Sequence, residues 1–444
     1  MDYVIMIGQL LLSLSILIVL HEMGHFIPAR MFGTRVEKFY LFFDPWFELF
    51  KFKKGETEYG IGWLPLGGYV KISGMIDESM DREQMKQPAQ PWEFRSKKAW
   101  QRLIIMLGGV TVNFILGFFL YGMVLFVWGE SYMPTKNVVN GIYADSLGME
   151  LGLKDGDKIL SIDGKPFDKF NDGLVKQAII FNDAKTITVD RNGSNVDLPI
   201  DPAFIGKLTA YENKGQNLFG PRIPFVVERV AEEDKYPAKK AGIQEGDQII
   251  AVNNTPTPFY HNYQKIALAN KGKKIDVGVQ RNGERLTIPL TLLETGQMGV
   301  NAKFPEFDKE KYSFFPAMVM GTKKGWSFLT DQITAFGHMF KGKIKASESL
   351  GGFGSIGKMF GNEWDWERFW KMTAILSLIL AFMNLLPIPA LDGGHVMFLL
   401  YEVISGRKPS DRFMEIATIV GFVVVMGLVL YANGMDFIRW WQGS

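Results

Sequence analysis

The 444-residue chain contains no cysteine. Disulfides, thiolate metal ligands and a cysteine nucleophile are therefore excluded. Histidine is scarce, with five in the whole chain. Any imidazole chemistry must draw on those few positions. Excess charge is missing too: 49 Lys and Arg against 47 Asp and Glu leave a net +2. That balance gives no sign of nucleic-acid binding, so nucleic acid is not an expected partner. Charge is also absent locally. Four stretches carry none at all: Tyr3 to Leu20, Leu103 to Trp128, Met372 to Leu391 and Ile416 to Met435. Each reaches the roughly 20 apolar residues that cross a bilayer core of about 30 Å.

These stretches predict a multi-pass α-helical membrane protein with four transmembrane helices, at 1–31, 99–129, 371–398 and 411–436. The first is not a secretory signal peptide. It opens on Asp2 rather than a basic region, and it runs into His-Glu instead of a small-residue cleavage site. Lys and Arg set the orientation. They crowd the 31–102 segment and recur at Arg407, Lys408 and Arg412, between the third and fourth spans. Both segments read as cytoplasmic, so 129–371 falls on the other side. Trp440 and Trp441 suit an interfacial anchor.

The 129–371 region contains a repeat. Gly152 with Asp155-Gly156-Asp157 and a strand-like run to Gly164 is matched 90 residues later by Gly242 with Glu245-Gly246-Asp247 and a run to Asn254. Arg191-Asn192-Gly193 against Arg281-Asn282-Gly283 keeps the offset. Gly-Asp turns into alternating strands, and Asn-Gly hairpin signals, describe a small β-rich module. The pattern resembles bacterial PDZ domains, placed at 130–208 and 222–305, with a linker and interfacial segment over 306–370. Such a module binds extended peptide by adding a strand to its sheet. Gating access by bulk is the other reading, and both stand.

His21-Glu22-Met23-Gly24-His25 fits H-E-x-x-H. Residues four apart share a helix face, so both imidazoles can reach one ion, with Glu22 beside them as a general base for water. Zinc takes a third protein ligand and keeps one open position. Polar groups at membrane depth are costly and mark function. His261 and His338 lie on the far side of the membrane by topology. Asp392 ends a proline- and glycine-broken stretch, Asn384 to Gly394, on the side where His21 and His25 emerge. Broken backbone there is tolerated only inside protein or a watery cavity.

H-E-x-x-H ending a first span, with N-x-x-P-x-P-x-L-D-G in a later one, resembles the site-2 protease family. Tandem PDZ modules between the second and third of four spans resemble its bacterial RseP-like branch. The resemblance implies His21, His25 and Asp392 as Zn2+ ligands and Glu22 as the catalytic base. It implies Asn384 and Pro389 as substrate-handling residues, and His395 as a supporting or structural one. Trp63 to Ile72, with Gly67, Gly68 and Tyr69, resembles a membrane-associated β-hairpin that clamps substrate (within a cytoplasmic segment 32–98). Pro91 to Arg102 resembles an interfacial amphipathic helix. Two departures stand out. Gly108-Gly109-Val110 replaces the family's Ala-Gly-Pro before Asn113-Phe114, and Phe42 to Trp46 replaces a glycine-rich loop.

The implied activity is intramembrane cleavage of single-pass membrane proteins, such as anti-sigma factors or remnant signal peptides. The expected setting is the bacterial inner membrane, with the bilayer as partner, the modules extracytoplasmic and the active site near the cytoplasm. The alternative is a catalytically silent receptor that holds membrane proteins; the intact ligand set argues against it. Oligomeric state is not encoded in any of these patterns.

Overall fold

The computed structural model describes residues 2–65, 67–75, 87–213, 215–233, 235–345 and 351–442. It divides into two compact units: Met1–Gly129 with Lys311–Phe336 and Ser349–Ser444, and Glu130–Glu310 with Gly337–Glu348.

The first unit is helical around one four-stranded sheet. Its helices are α1 (Asp2–Met31), α2 (Ala99–Trp128), α3 (Phe314–Phe340, of which the part to Phe336 belongs here), α4 (Phe353–Phe360), α5 (Trp366–Leu385), α6 (Asp392–Ser405) and α7 (Asp411–Trp441). Among the described residues, α1, α2, α5 and α7 are long and apolar enough to cross a membrane. In lipid no hydrophobic driving force draws helix to helix, so small residues must let backbones approach closely. They do so here. A Cβ at Gly24 of α1 would lie 2.5–2.8 Å from backbone atoms of Gly108 and Gly109 on α2. Gly117 of α2 takes Leu378 of α5, and Gly321 of α3 meets Gly122 of α2. Polar pairs add register: Ser13 and Thr373 hydroxyls are 2.9 Å apart, and Ser377 Oγ donates to Asn113 O at 2.8 Å. α2 runs unbroken through Val110.

The third apolar stretch is not one helix. α5 stops at Leu385, an extended segment follows, and α6 starts afresh at Asp392. Pro387 and Pro389 lack the N–H groups that a continuing helix would need. A Cβ at Gly393 or Gly394 would run into the backbone of Leu385 or Pro389, so only glycine permits the turn back.

The sheet consists of β1 (Val36–Leu41), β2 (Phe43–Lys54), β3 (Thr57–Leu64) and β4 (Tyr69–Ile72), in the order β2-β3-β1-β4. This corrects the expected hairpin at Trp63 to Ile72. β3 and β4 do not pair; β1 lies between them, parallel to β3 and antiparallel to β4. The hairpin is β2–β3 instead. Tyr40 of β1 is buried over Gly60, where any side chain would clash with its ring. The chain does reverse direction between β3 and β4, but with β1 inserted between the two strands. Leu66, within that stretch, and residues 76–86 of the 32–98 segment lie outside the described residues. The expected helix from Pro91 to Arg102 is also corrected. A single 3-10 turn, Phe94–Ser96, precedes α2. The chain is held extended there by Arg35 N–H to Trp92 O at 2.9 Å and Phe94 N–H to Ser73 O at 2.8 Å.

The second unit holds the repeat as two copies of one β-rich module. In the first, Lys158–Ile162 pairs with Thr186–Arg191, which pairs with Ser194–Pro199. In the second, Gln248–Val252, Lys274–Arg281 and Glu284–Thr291 do the same. The landmarks seen in sequence form one clamp. Arg191 grips Asp157 through two bonds of 2.8 Å and reaches Gly152 O. Arg281 grips Asp247 at 2.7 and 2.8 Å and reaches Gly242 O. Asn192-Gly193 and Asn282-Gly283 both take the left-handed turn conformation. The cores separate between Phe219 and Ile223, so the first module runs past 208: Phe219–Pro221 pairs with Ile142–Ala144. The expected linker at 306–370 contains α3 and α4, and residues 346–350 within it lie outside the described residues.

Candidate active site

α1 carries His21, Glu22 and His25 in its last third, and α6 carries Asp392 in its first turn. His21 Nε2 and His25 Nε2 are 3.3 Å apart. Asp392 Oδ2 lies 3.2 Å from the first and 3.4 Å from the second. Donors held about 2.0–2.1 Å from one tetrahedral ion are about 3.3 Å from one another, so this triangle has the edge length zinc requires. The chemistry of the donor set fits as well: two imidazoles and a carboxylate. Asp392 Oδ2 is buried and makes no conventional hydrogen bond among the described residues. Two ligand nitrogens facing a bare carboxylate oxygen are short of a cation, which a divalent metal would supply.

The outer faces of the two candidate ligand histidines are also arranged. His25 Nδ1 lies 2.8 Å from Ile105 O, so it donates there and leaves Nε2 as a lone pair. His21 Nδ1 lies 3.2 Å from the side-chain amide of Asn113. Gly109 of α2 sits beneath both rings; a Cβ there would be 2.6 Å from His21 Cε1.

A cavity of about 640 Å³ opens over the cluster. Glu22, Gly67, Gly68, Tyr69, Asn384 and Asp392 are among its lining residues. Asn384 reaches within 3.4 Å of His21 Nε2. Gly68 is forced by space: a Cβ would meet Ile18 and the Tyr40 carbonyl. Tyr69 is held by a hydrogen bond of 3.0 Å from its hydroxyl to Asp44 Oδ1 and by stacking on Tyr40 and Phe43. His395 lines the cavity one turn beyond Asp392 without joining the ligand triangle. Pro389 is placed elsewhere. It lines a separate hollow with Phe413, Ile416 and Val420, and its carbonyl occupies the space beside Gly421 of α7. Its neighbour Ala390 takes a positive φ of 155°, a strained setting two residues before Asp392. His261 and His338 fall in the second unit.

Three contributors were named in the sequence reading only within departures from the family pattern, with no role at the site. Gly109 and Asn113 sit four residues apart on one face of α2, the same spacing as the two histidines. An amide inside an uncharged span was the available signal. Asp44, within the aromatic replacement loop, gave no signal of its own.

A profile of peptidase family M50 matches residues 9–428. The regulator of sigma-E protease RseP of Escherichia coli (strain K12) is 32% identical, with 98% of each chain covered. The regulator of sigma E protease of Haemophilus influenzae is 28% identical over 99% of this chain and 100% of its own. A putative zinc metalloprotease of Neisseria meningitidis is 29% identical, with 96% and 97% covered. With a matching profile over nearly its whole length and a donor triangle of zinc dimensions, the chain belongs to peptidase family M50, the site-2 proteases, and is a zinc metalloendopeptidase.

Proposed function

We propose that this enzyme performs regulated intramembrane proteolysis, cleaving transmembrane segments of single-pass proteins in the bacterial inner membrane. The observation that carries the reading is the position of the cavity. The donor triangle, Glu22 and Asn384 share it, and helices of membrane-spanning length wall it. His21, His25 and Asp392 would hold the zinc. When bound, zinc polarises a scissile carbonyl and makes water acidic enough to attack near neutral pH. Glu22, 9% exposed and beside the triangle, takes the proton of the attacking water and passes it to the leaving amine. Asn384 donates its amide N–H to the carbonyl oxygen as negative charge develops there. Among the described residues, β4 has a neighbouring strand on one side only. Gly67, Gly68 and Tyr69 at its start border the cavity. An unwound substrate segment would pair with that edge and be held extended for cleavage. Pro389 acts indirectly, by setting the turn that delivers Asp392.

The repeated modules are read as PDZ domains at about 130–208 and 222–305, the first extended to the strand at 221. The charge bias of the loops supports a position outside the cytoplasm for the modules and one near the cytoplasmic side for the zinc centre. The second module has a groove of about 580 Å³ lined by Tyr236, Tyr260, Tyr263 and Asn301, suited to a peptide strand. The modules would admit substrates whose outer domain has already been removed, of the anti-sigma-factor or remnant-signal-peptide kind. The test is reconstitution in liposomes with a model single-pass substrate. Cleavage within the membrane segment that stops with chelator and returns with zinc supports the proposal. Cleavage confined to soluble loops would overturn it.

A further inference from the structure

Asn113 lies on the face of α2 that meets the donor triangle, one turn beyond Gly109. It is 1% exposed. Its backbone carbonyl is taken by Ser377 Oγ, which fixes the residue between α2 and α5. Its side-chain nitrogen stands 3.2 Å from His21 Nδ1. Its Oδ1 is buried and has no hydrogen-bond partner among the described residues. A buried amide oxygen left unused is costly and calls for an explanation.

The imidazoles supply one. Neutral histidine carries one N–H and one lone pair. To ligate through Nε2 it must keep its proton on Nδ1, and that N–H needs an acceptor. His25 has one in Ile105 O. For His21 the group at Nδ1 is the Asn113 amide. A half turn of an amide exchanges its oxygen and nitrogen at nearly the same points.

We propose that Asn113 is the positioning residue of His21, its Oδ1 accepting the Nδ1–H and thereby holding Nε2 as the lone pair aimed at the metal. The proposal rests on the reading of His21, His25 and Asp392 as ligands and goes one step beyond it. The opposite amide setting has the opposite effect. Nδ2–H donates to His21 Nδ1, the imidazole proton moves to Nε2, and it then faces Asp392 Oδ2 at 3.2 Å. The two settings of one side chain thus match a metal-ready and a metal-free cluster. An amide does this without adding charge to the span, which a carboxylate would.

The test is zinc affinity of the full chain in detergent, by competition with a chromogenic chelator. Asn113→Leu and Asn113→Ala remove the acceptor, and each should weaken zinc by about 10–100-fold, the usual loss when a ligand histidine forfeits its partner. Asn113→Asp keeps an acceptor facing Nδ1–H and should hold zinc within a few-fold of wild type. Affinity unchanged in the Leu and Ala variants overturns the proposal. So does an Asp variant as weak as the Leu variant, since packing alone would then account for the loss. His21→Ala separates the two layers of argument. Undiminished zinc in that variant defeats the ligand reading itself, whereas lost zinc there with full affinity in Asn113→Leu defeats only the role of Asn113.

Discussion

Gly109→Ala is the smallest change that should disable the metal centre without touching a ligand. The added methyl would lie 2.6 Å from His21 Cε1 and closer still to His25 Nε2, where ordinary contact begins at 3.4 Å. Both rings must therefore retreat by about 0.8 Å or more, or α1 and α2 must part. The helices have little freedom to part, because Gly24 and Gly108 already bring their backbones together. Overpacking of this kind costs about 1–3 kcal/mol. A displacement near 1 Å of catalytic groups costs on the order of 100-fold in rate. Zinc content and cleavage of a model substrate should thus both fall, with the protein still folded. Gly427→Ala on α7 is the control. Nothing lies within 4 Å of its added carbon, and alanine favours helix by roughly 1 kcal/mol over glycine. It should be neutral or slightly stabilising. Full zinc occupancy and wild-type cleavage in Gly109→Ala would refute the packing argument.

Asp392→Ala should bring zinc stoichiometry well below one per chain, read by elemental analysis of the purified protein. Asn384→Ala should keep zinc but lower kcat by about 100-fold, the scale of a lost oxyanion donor, in a cleavage assay at saturating substrate. Arg281→Leu leaves the buried Asp247 carboxylate without its cation and should destabilise the second module. Faster hydrogen exchange confined to residues 274–291 would register it. Burial pushes the Asp247 carboxyl up, but Arg281 and the Gln244 N–H outweigh it and hold it below its ordinary value. The stability this contributes is therefore complete above about pH 4, the unfolded carboxylate range, and is lost as pH falls through the lower folded value. Protection factors in the second module should fall on acidification in the wild type, and Asp247→Asn should flatten that response.

Much of this architecture is legible in the sequence because it follows from local physics. Uncharged stretches become long helices because lipid leaves the backbone little other choice. The 90-residue repeat is visible because each Arg–Asp–Gly clamp needs three residues at set distances along the chain. The triangle of His21, His25 and Asp392 follows from helical spacing and membrane topology. What stayed hidden depends on distant partners. β1 inserts between β3 and β4 because Tyr40 fits over Gly60, a match no local pattern encodes. α3 was masked by Lys323, Lys324 and Asp331, which dilute its apolar face until it reads as a linker. The Pro91 to Arg102 segment has an amphipathic pattern, yet backbone bonds from Arg35 and to Ser73 hold it extended. Pro389 carries a substrate motif in sequence but packs on Gly421.

The central claim, that Glu22 activates water beside a zinc held by His21, His25 and Asp392, is tested most directly by Glu22→Gln. The variant should retain one zinc per chain while cleavage of a transmembrane substrate falls by 100-fold or more, about the contribution of a positioned general base. Wild-type cleavage by that variant, with zinc bound, would contradict the account.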